Sequence, residues 1–285
     1  GFDPYLEREV NMEDIIAAYR ELRKVEEALE DKEHCNIYLS QLLAPGGYYW
    51  VFPHGENEVN VGIGVKWVKG GPNPKKQLYR AIKSFGHIEK GGVVHGGGAM
   101  VPTRRPLDSM VANGLVIVGD AACQVNPMHG GGIGPSMVAG RIAGDVIVKA
   151  LEKGDVSRDA LWEYNRRFME VYGAKQAGLD VFRIFLQSLG DEELNYGMSR
   201  RLLKEEDVLR VSMGGDVKPT LGELLSRVIK GIDRIPFLLK LKNVLKAMKK
   251  VKALYLNYPD PSGFNEWKKE VDRAFRSVQK LVVKS

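Results

Sequence analysis

The spacing of apolar positions changes several times along the 285 residues, and each change marks a predicted element. Phe2–Asn11 is polar, of mixed charge, and shows no clear period. Ile15, Ile16, Tyr19, Leu22, Val25 and Leu29 then recur at helical spacing, so periodicity alone predicts a helix. Beyond Asn36 the period falls to two. Asn36–Leu43 alternates, Pro45-Gly46-Gly47 turns, Tyr48–Phe52 is aromatic and β-rich, His54-Gly55-Glu56-Asn57 makes a hairpin turn, and Val59–Val65 pairs back. Residues 36–66 therefore read as an antiparallel meander. Asn73–Phe85 returns to helical spacing, with Leu78, Ile82 and Phe85 on one face. Gly91–Val101 reads as a strand running into Pro102, and Thr103–Asn113 as a loop carrying Arg104-Arg105-Pro106.

The stretch Gly114–Gly144 has its own grammar. Leu115–Val118 is a short apolar, β-branched run, the signature of a buried strand, and it stops at Gly119-Asp120. A turn-prone segment follows, with Asn126-Pro127 and then Gly130, Gly131 and Gly132. A helix of small residues begins near Gly134-Pro135, passes through Ala139, Gly140, Ala143 and Gly144, and ends near Glu152. Strand, acidic residue, glycine turn and helix N-terminus together suit an anionic or polar cofactor, because the first-turn amides are unpaired and the helix dipole adds partial positive charge. Glycines let the backbone come close to such a ligand. The alternative is a glycine-rich turn that holds nothing. The G-x-G-x-x-G dinucleotide fingerprint occurs nowhere in the chain. From Ser157 the pattern is almost wholly helical. Ser157–Leu189 is amphipathic, with Leu161, Tyr164, Phe168, Val171 and Tyr172 early and Val181, Phe182, Phe185 and Leu186 late. Asp191–Val211, Thr220–Lys230, Pro236–Leu254 and Asn265–Val283 are further predicted helices, with a break at Gly214-Gly215.

At 44% hydrophobic the chain can bury a full core, in two or three sub-domains. No apolar stretch of about 20 residues is present, so no membrane-spanning helix is expected, and no signal peptide is visible. Cys35 and Cys123 have no metal-ligand spacing; no metal is expected, and a reducing cytoplasm is. Cys123 stands three residues past Asp120, either near a ligand or as a small buried thiol. The net charge of +6 is unevenly placed. Between Arg227 and Lys252 nine Lys or Arg face a single acid, Asp233. Helical spacing puts Leu238, Leu241, Leu245 and Met248 on one face and Lys242, Lys246 and Lys249 on another. A helix lying on an anionic membrane surface has this pattern, and so has a solvated face over a core-packed stripe. Without interleaved aromatics or a recognised module, no nucleic-acid partner is expected.

Pro45–Gly64 reads P-G-G-Y-Y-W-V-F-P-H-G-E-N-E-V-N-V-G-I-G. Alternation sets Tyr48, Trp50 and Phe52 on one face of a strand and Tyr49 and Val51 on the other. Three aromatics ending in Pro53-His54-Gly55 suit the wall of a long apolar cavity, or an ordinary sheet core. His54 reads as a solvent-exposed turn residue with no proton-transfer role.

Gly119–Gly134 resembles the second FAD-binding motif, "GDAA…P…GGGI", of flavoproteins built like p-hydroxybenzoate hydroxylase. Pro45–Gly64 resembles the "Y-x-W-x-F-P-x-G…VG-G" signature of the geranylgeranyl reductase family, and Gly96–Pro102 fits that family's sheet. The resemblance implies an α+β fold: an antiparallel substrate-domain sheet, the remaining strand-turn-helix of an FAD-binding domain, and a helical C-terminal part. It divides the chain into a substrate/catalytic domain over 1–113, the C-terminal part of an FAD-binding domain over 114–152, and a helical domain over 153–285. It also implies a strand over residues 14–26 at the edge of the sheet, against the helical spacing there. The cofactor-binding residues it implies are Gly119, Asp120, Ala121, Pro127, Gly130, Gly131, Gly132, Ile133 and Gly134, with Asp120 on the ribityl chain and the amides around Gly132-Ile133 facing the flavin ring. Tyr48, Trp50, Phe52, Pro53 and Gly55 would line the substrate site. The implied activity is FAD-dependent reduction of isoprenoid C=C bonds in geranylgeranyl, archaeal-type membrane lipids, fed by a reduced electron donor. The alkene is unactivated, so catalysis would rest on positioning and a dry cavity, and no residue stands out as proton donor. The implied setting is the cytoplasm, peripheral at the membrane through Lys242, Lys246 and Lys249. The alternatives are a monooxygenase or quinone-linked dehydrogenase of the same superfamily, and a non-catalytic lipid or membrane-surface module. The family's G-x-G-x-x-G segment is not found, and Gly1-Phe2 resembles the tail of its internal flavin motif. The expectation is therefore a fragment that binds FAD weakly or not at all.

Overall fold

A computed structural model of the chain describes residues 3–26, 31–202 and 234–283. The chain divides into a sheet unit, Val10–Pro102 with Leu189–Leu194, and a helical unit, Gly1–Glu9 with Thr103–Ser188 and Asn195–Ser285. Thr103–Asn113 and Gly114–Glu152 thus group with the C-terminal helices, where three segments (1–113, 114–152, 153–285) were the expectation.

In the sheet unit, β1 (Ile15–Lys24), β2 (Asn36–Tyr38), β3 (Tyr48–His54), β4 (Glu58–Lys66) and β5 (Val93–Pro102) form one antiparallel sheet in the order β2-β3-β4-β1-β5. Of the two expectations for residues 14–26, the strand implied by the resemblance holds, but not its place in the sheet. The segment is a strand, not a helix, and it lies inside the sheet rather than at its edge, paired to β4 from Ile16↔Lys66 to Lys24↔Glu58 and to β5 from Ile15↔Pro102. The period of two is hidden because Glu21 and Arg23 occupy core positions. They are only 1% and 4% exposed. Their ion pair is 2.6 Å long, and the Arg23 guanidinium also donates to the carbonyls of Ile88, Glu89 and Gly91 at 3.0, 2.8 and 2.7 Å. The hydroxyls of Tyr19 and Tyr79 donate to the same Glu21 oxygen at 3.1 and 2.9 Å. A buried ion pair satisfied on every side replaces two apolar residues, so a hydrophobicity pattern cannot see the strand.

Tertiary contacts also trim the meander. β2 stops at Tyr38, and the rest of Asn36–Leu43 enters the turn ahead of Gly46, whose φ of +70° suits glycine. The β3–β4 hairpin turns at Gly55, with φ +67°. Helix α1 (Pro74–Ile82) starts where Asn73 accepts the Lys76 amide at 3.1 Å. Its Leu78 and Ile82 pack with Val51, Val59, Val61, Ile63 and Val65 on one face of the sheet. A short α2 (Gly86–Lys90) leads back to β5.

In the helical unit, β6 (Val111–Ala112), within the expected loop, pairs with β7 (Leu115–Val116), and a 3-10 turn spans Gly119–Ala122. The expected buried strand Leu115–Val118 is two residues long, with Leu115 and Val118 43% and 42% exposed. Its only strand neighbour among the described residues is β6, so one edge and much of its surface stay open. Then come α3 (Ile133–Glu152), α4 (Arg158–Phe168), a π-turn over Met169–Gly173, α5 (Ala174–Gln187), α6 (Asp191–Ser199, whose first turn belongs to the sheet unit), α7 (Ile235–Leu256) and α8 (Phe264–Val283). The π-turn inserts a residue into the helical phase, which turns Val171 outward instead of into the expected stripe. Gly1-Phe2, Leu29, the Gly214-Gly215 break, Thr220–Lys230, the last part of Asp191–Val211, and Arg227, Lys230 and Asp233 lie outside the described residues.

The segment before β6 is anchored by buried charge. Glu7 accepts two bonds from the Arg104 guanidinium, at 2.9 and 3.1 Å, and the Asp108 amide at 2.9 Å. The Asp108 carboxylate, fully buried, pairs with the Lys268 ammonium, and its carbonyl accepts from the Tyr258 hydroxyl at 2.6 Å. Asn165 on α4, also fully buried, accepts the Met110 amide at 2.9 Å and donates to Ser109 Oγ at 3.1 Å.

Candidate functional site

The loop Gly119–Gly132 is built in two closed halves. Gly119 turns the chain with φ +68°, and its amide donates to Gln124 Oε1 at 2.6 Å. The Gln124 amide returns to the Gly119 carbonyl at 3.0 Å, and the Cys123 amide to the Asp120 carbonyl at 2.9 Å. Buried Gln124 also donates to the Tyr164 hydroxyl at 2.7 Å, which itself donates to the Ile117 carbonyl at 3.1 Å. Burial pushes the Tyr164 pKa up to about 12, so its hydroxyl keeps the proton it donates. In the second half Asn126, almost fully buried, exchanges backbone bonds with Gly131 and Gly130 at 3.0 and 2.9 Å and accepts the Met128 amide on its side chain at 2.9 Å. Gln176 on α5 reaches under the loop and donates to the carbonyls of Cys123, at 3.4 Å, and Val125. The Gly131 amide donates to His129 Nδ1 at 3.1 Å, which requires that nitrogen to be unprotonated; partial desolvation and then the Lys175 charge lower the His129 pKa in the same direction.

Much of the loop's polarity is spent internally. The amides of Gly130 and Gly131 are used within the loop, and Pro127 is buried, so these three predicted residues shape the turn. Asp120 differs. Its side chain is exposed, and its carboxylate makes no hydrogen bond or ion pair with any described residue. It sits against Gly132: a Cβ there would lie 3.1 Å from Asp120 Oδ1 and 3.4 Å from Val125 Cγ2. Gly132 caps α3 with no side-chain bond, and Pro135 has no N–H, so the first-turn amides of Ile133 and Gly134 open outward. Ala121 and Gly134 are exposed, and Ile133 is 81% exposed. The loop therefore offers one carboxylate acceptor beside a set of uncapped amide donors at the positive end of a 20-residue helix. Sequence reasoning missed Gln124, Tyr164, Asn165 and Gln176, which hold this surface in shape. Apart from Gln124's local bond to Gly119, the side-chain bonds that do this mostly span 40 to 56 residues, where no local pattern signals them. Cys123 is buried, with a left-handed φ of 54°.

The aromatic strand behaves as its alternation predicts. Tyr48, Trp50 and Phe52 share a face of β3, with ring centroids 5.8 and 6.0 Å apart in sequence. Tyr49 and Val51 lie on the α1 side. Trp50 lies flat across its β4 partner Gly62, where a Cβ would come within 2.1 Å of the indole, and its Nε1–H donates to Asn60 Oδ1 at 3.1 Å. The indole thus has its one donor satisfied and presents an apolar plane. Burial raises the Tyr48 pKa. Pro53, one step out of phase, takes the opposite face, and Gly55 sits in the hairpin turn, so neither joins the three rings. His54 is exposed.

Among the described residues no cluster of His, Cys, Asp and Glu suits a metal ion, and no helix is long and apolar enough to cross a membrane. Residues 14–101 match the geranylgeranyl reductase catalytic domain. The chain is 43% identical over 269 residues to a digeranylgeranylglycerophospholipid reductase of Sulfolobus acidocaldarius, covering 94% of this chain and 60% of that protein. It is 37% identical over 187 residues to the enzyme of the same name from Methanothrix thermoacetophila, covering 65% of this chain and 46% of that protein. A solved structure of a geranylgeranyl bacteriochlorophyll reductase-like protein from Thermoplasma acidophilum superposes with a TM-score of 0.63 at 27% identity, over 83% of this chain and 56% of that one. The chain thus spans 60% or less of the length of each.

Proposed function

We infer that this chain, which belongs to the geranylgeranyl reductase family, is part of an FAD-dependent oxidoreductase that saturates C=C bonds in the isoprenoid chains of archaeal-type membrane lipids. The observation that carries the reading is Asp120: an exposed carboxylate with no described partner, set against Gly132 at the uncapped N-terminus of α3, in a loop whose other polar groups are largely tied down. Those residues fit FAD. Asp120 would accept from ribityl hydroxyls, and the amides of Gly132, Ile133 and Gly134 would suit the electron-rich edge of the flavin ring. The absence of a Cβ at Gly132 leaves room for the approach.

The bound flavin supplies the hydride. The chain supplies placement. The Gln124–Tyr164 pair and Gln176 fix the loop before any ligand arrives, so its donors need little reorganisation. Tyr48, Trp50 and Phe52 give an alkene-bearing chain an apolar surface that excludes water, which suits a reaction dependent on orientation more than on a strong acid. An external reductant provides the electrons, and the enzyme works on the cytoplasmic side, peripheral at the membrane that holds its substrate. No specific observation favours the monooxygenase, quinone-linked or non-catalytic reading.

The test compares the full-length protein with its Asp120→Ala variant. Wild type should carry one FAD per chain and be reoxidised, once reduced, by geranylgeranyl lipid. Loss of charge-assisted hydrogen bonds of ~1.5–3 kcal/mol should weaken FAD about 10- to 100-fold in the variant, read by flavin absorbance. An unchanged FAD affinity would remove the role of Asp120, and a reduced flavin indifferent to the lipid would remove the reductase reading.

A further inference from the structure

Helix α7 (Ile235–Leu256) has two unlike faces. Phe237, Leu241, Val244, Val251 and Tyr255 are buried, and α7 packs on α5 and α8. Leu238, Leu245 and Met248 are half-buried on the flank of that stripe, rather than at its centre as their spacing suggested. The opposite face runs through Ile235, Leu239, Lys242, Lys246, Lys249, Lys250, Ala253 and Leu256, all exposed. The helix has six lysines and no acidic residue. Lys242, Lys246, Lys249 and Lys250 make no ion pair with any described residue, whereas Lys268 and Lys269 on the neighbouring α8 are each paired with an acid. Lys242 and Lys246, and Lys246 and Lys250, stand one turn apart, a like-charge spacing that destabilises a helix in water. At the ends of the lysine patch Ile235, Leu239 and Leu256 are 53%, 54% and 50% exposed.

We propose that this face of α7 docks on an anionic lipid bilayer, with the four lysines at the headgroups and Leu239 and Leu256 entering the boundary of the acyl region. An anionic surface relieves the lysine repulsion, and exposed leucines on the same face add the apolar contact that a free polyanion does not reward. The inference deepens the lipid-substrate reading but is measured without catalysis, so either fails without the other.

The experiment is co-sedimentation of the chain with vesicles of phosphatidylcholine alone and of phosphatidylcholine with phosphatidylglycerol. Wild type should pellet with the anionic vesicles only. The K242Q/K246Q/K249Q variant should partition on the order of a hundred-fold more weakly, about five-fold per lysine. A control that removes equal charge at exposed Lys69, Lys83 and Lys153 should bind as wild type, and circular dichroism should show all three proteins folded. A Leu239→Ser variant should also weaken vesicle binding. Equal binding by the triple variant and wild type, or no binding of wild type to anionic vesicles, overturns the proposal. So does an unchanged Leu239→Ser variant paired with tight capture of an oligonucleotide, which reassigns the face to nucleic acid.

Discussion

Substituting Gly62 tests the aromatic wall through a single atom. An alanine Cβ would lie 2.1 Å from Trp50 Cζ2 and 2.5 Å from Cε2, well inside contact distance, so the indole must lift. It is held by the Asn60 hydrogen bond at 3.1 Å and by its neighbours Tyr48 and Phe52. Overpacking of this kind costs ~1–3 kcal/mol, and straining the hydrogen bond adds ~1 kcal/mol. Alanine restricts the unfolded chain and returns ~0.4–1 kcal/mol. Gly62→Ala should therefore destabilise by about 1–3 kcal/mol, lowering the thermal midpoint by ~2–4 °C per kcal/mol. Gly97→Ala is the control, since a Cβ there meets nothing within 4 Å; it should change stability by less than ~1 kcal/mol. The decisive measurement is a double-mutant cycle by urea denaturation. Trp50→Val will be costly by itself, but adding Gly62→Ala to it should then be nearly free, a coupling of at least ~1 kcal/mol. If the two changes simply add, the indole does not depend on Gly62, and the flat wall it is said to form is wrong.

Two further perturbations address the frame behind the Asp120 loop. Burial pushes the Asp108 carboxyl up, but Arg105 and Lys268 outweigh it and hold the pKa below the usual aspartate value. A depressed folded-state pKa stabilises above the unfolded value near ~3.9 and is lost as pH falls through the folded one. Lys268→Met should therefore cost about 1–3 kcal/mol at neutral pH, less than a fully buried pair because Lys268 is 37% exposed and Arg105 remains, and the deficit should shrink in acid; a pH-independent deficit counts against the ion pair. Asn165→Leu keeps the volume but strips partners from the Met110 amide and Ser109 Oγ, which should cost ~2–4 kcal/mol in denaturant unfolding, and a loss below ~1 kcal/mol would mean those bonds are not holding the segment.

What the sequence made legible follows the range of the interactions. The β3–β4 hairpin, the Asn73 cap and the common face of Tyr48, Trp50 and Phe52 depend on neighbours a few residues apart, and period two carries them. β1 was ambiguous because its identity depends on partners at β4 and β5 and on a buried Glu21–Arg23 pair that looks like surface in a hydropathy pattern. Val171 points outward because a π-turn shifts the phase, and a fixed helical period has no term for that insertion.

The two aspartates of the helical unit show the same limit in the candidate site. Asp108 stands in a loop carrying Arg104-Arg105-Pro106 and Asp120 ends the apolar run Leu115–Val118, and neither context by itself says which carboxylate is buried. In the fold Asp108 is fully buried, with Lys268 and Arg105 beside its carboxylate, Tyr258 on its carbonyl and Glu7 on its amide. Asp120 is exposed, with its carboxylate unpaired among the described residues and Gly132 drawn against it. A carboxylate surrounded by fixed cations and donors has its interactions inside the protein, and removing a partner should appear in stability. One that the fold leaves open at a helix N-terminus has donors to find elsewhere, and its loss should appear in ligand affinity with little change in unfolding. Glycines at 119 and 130–132 pointed to Asp120 because only a chain turned that sharply can leave a carboxylate and a helix's first amides facing the same space.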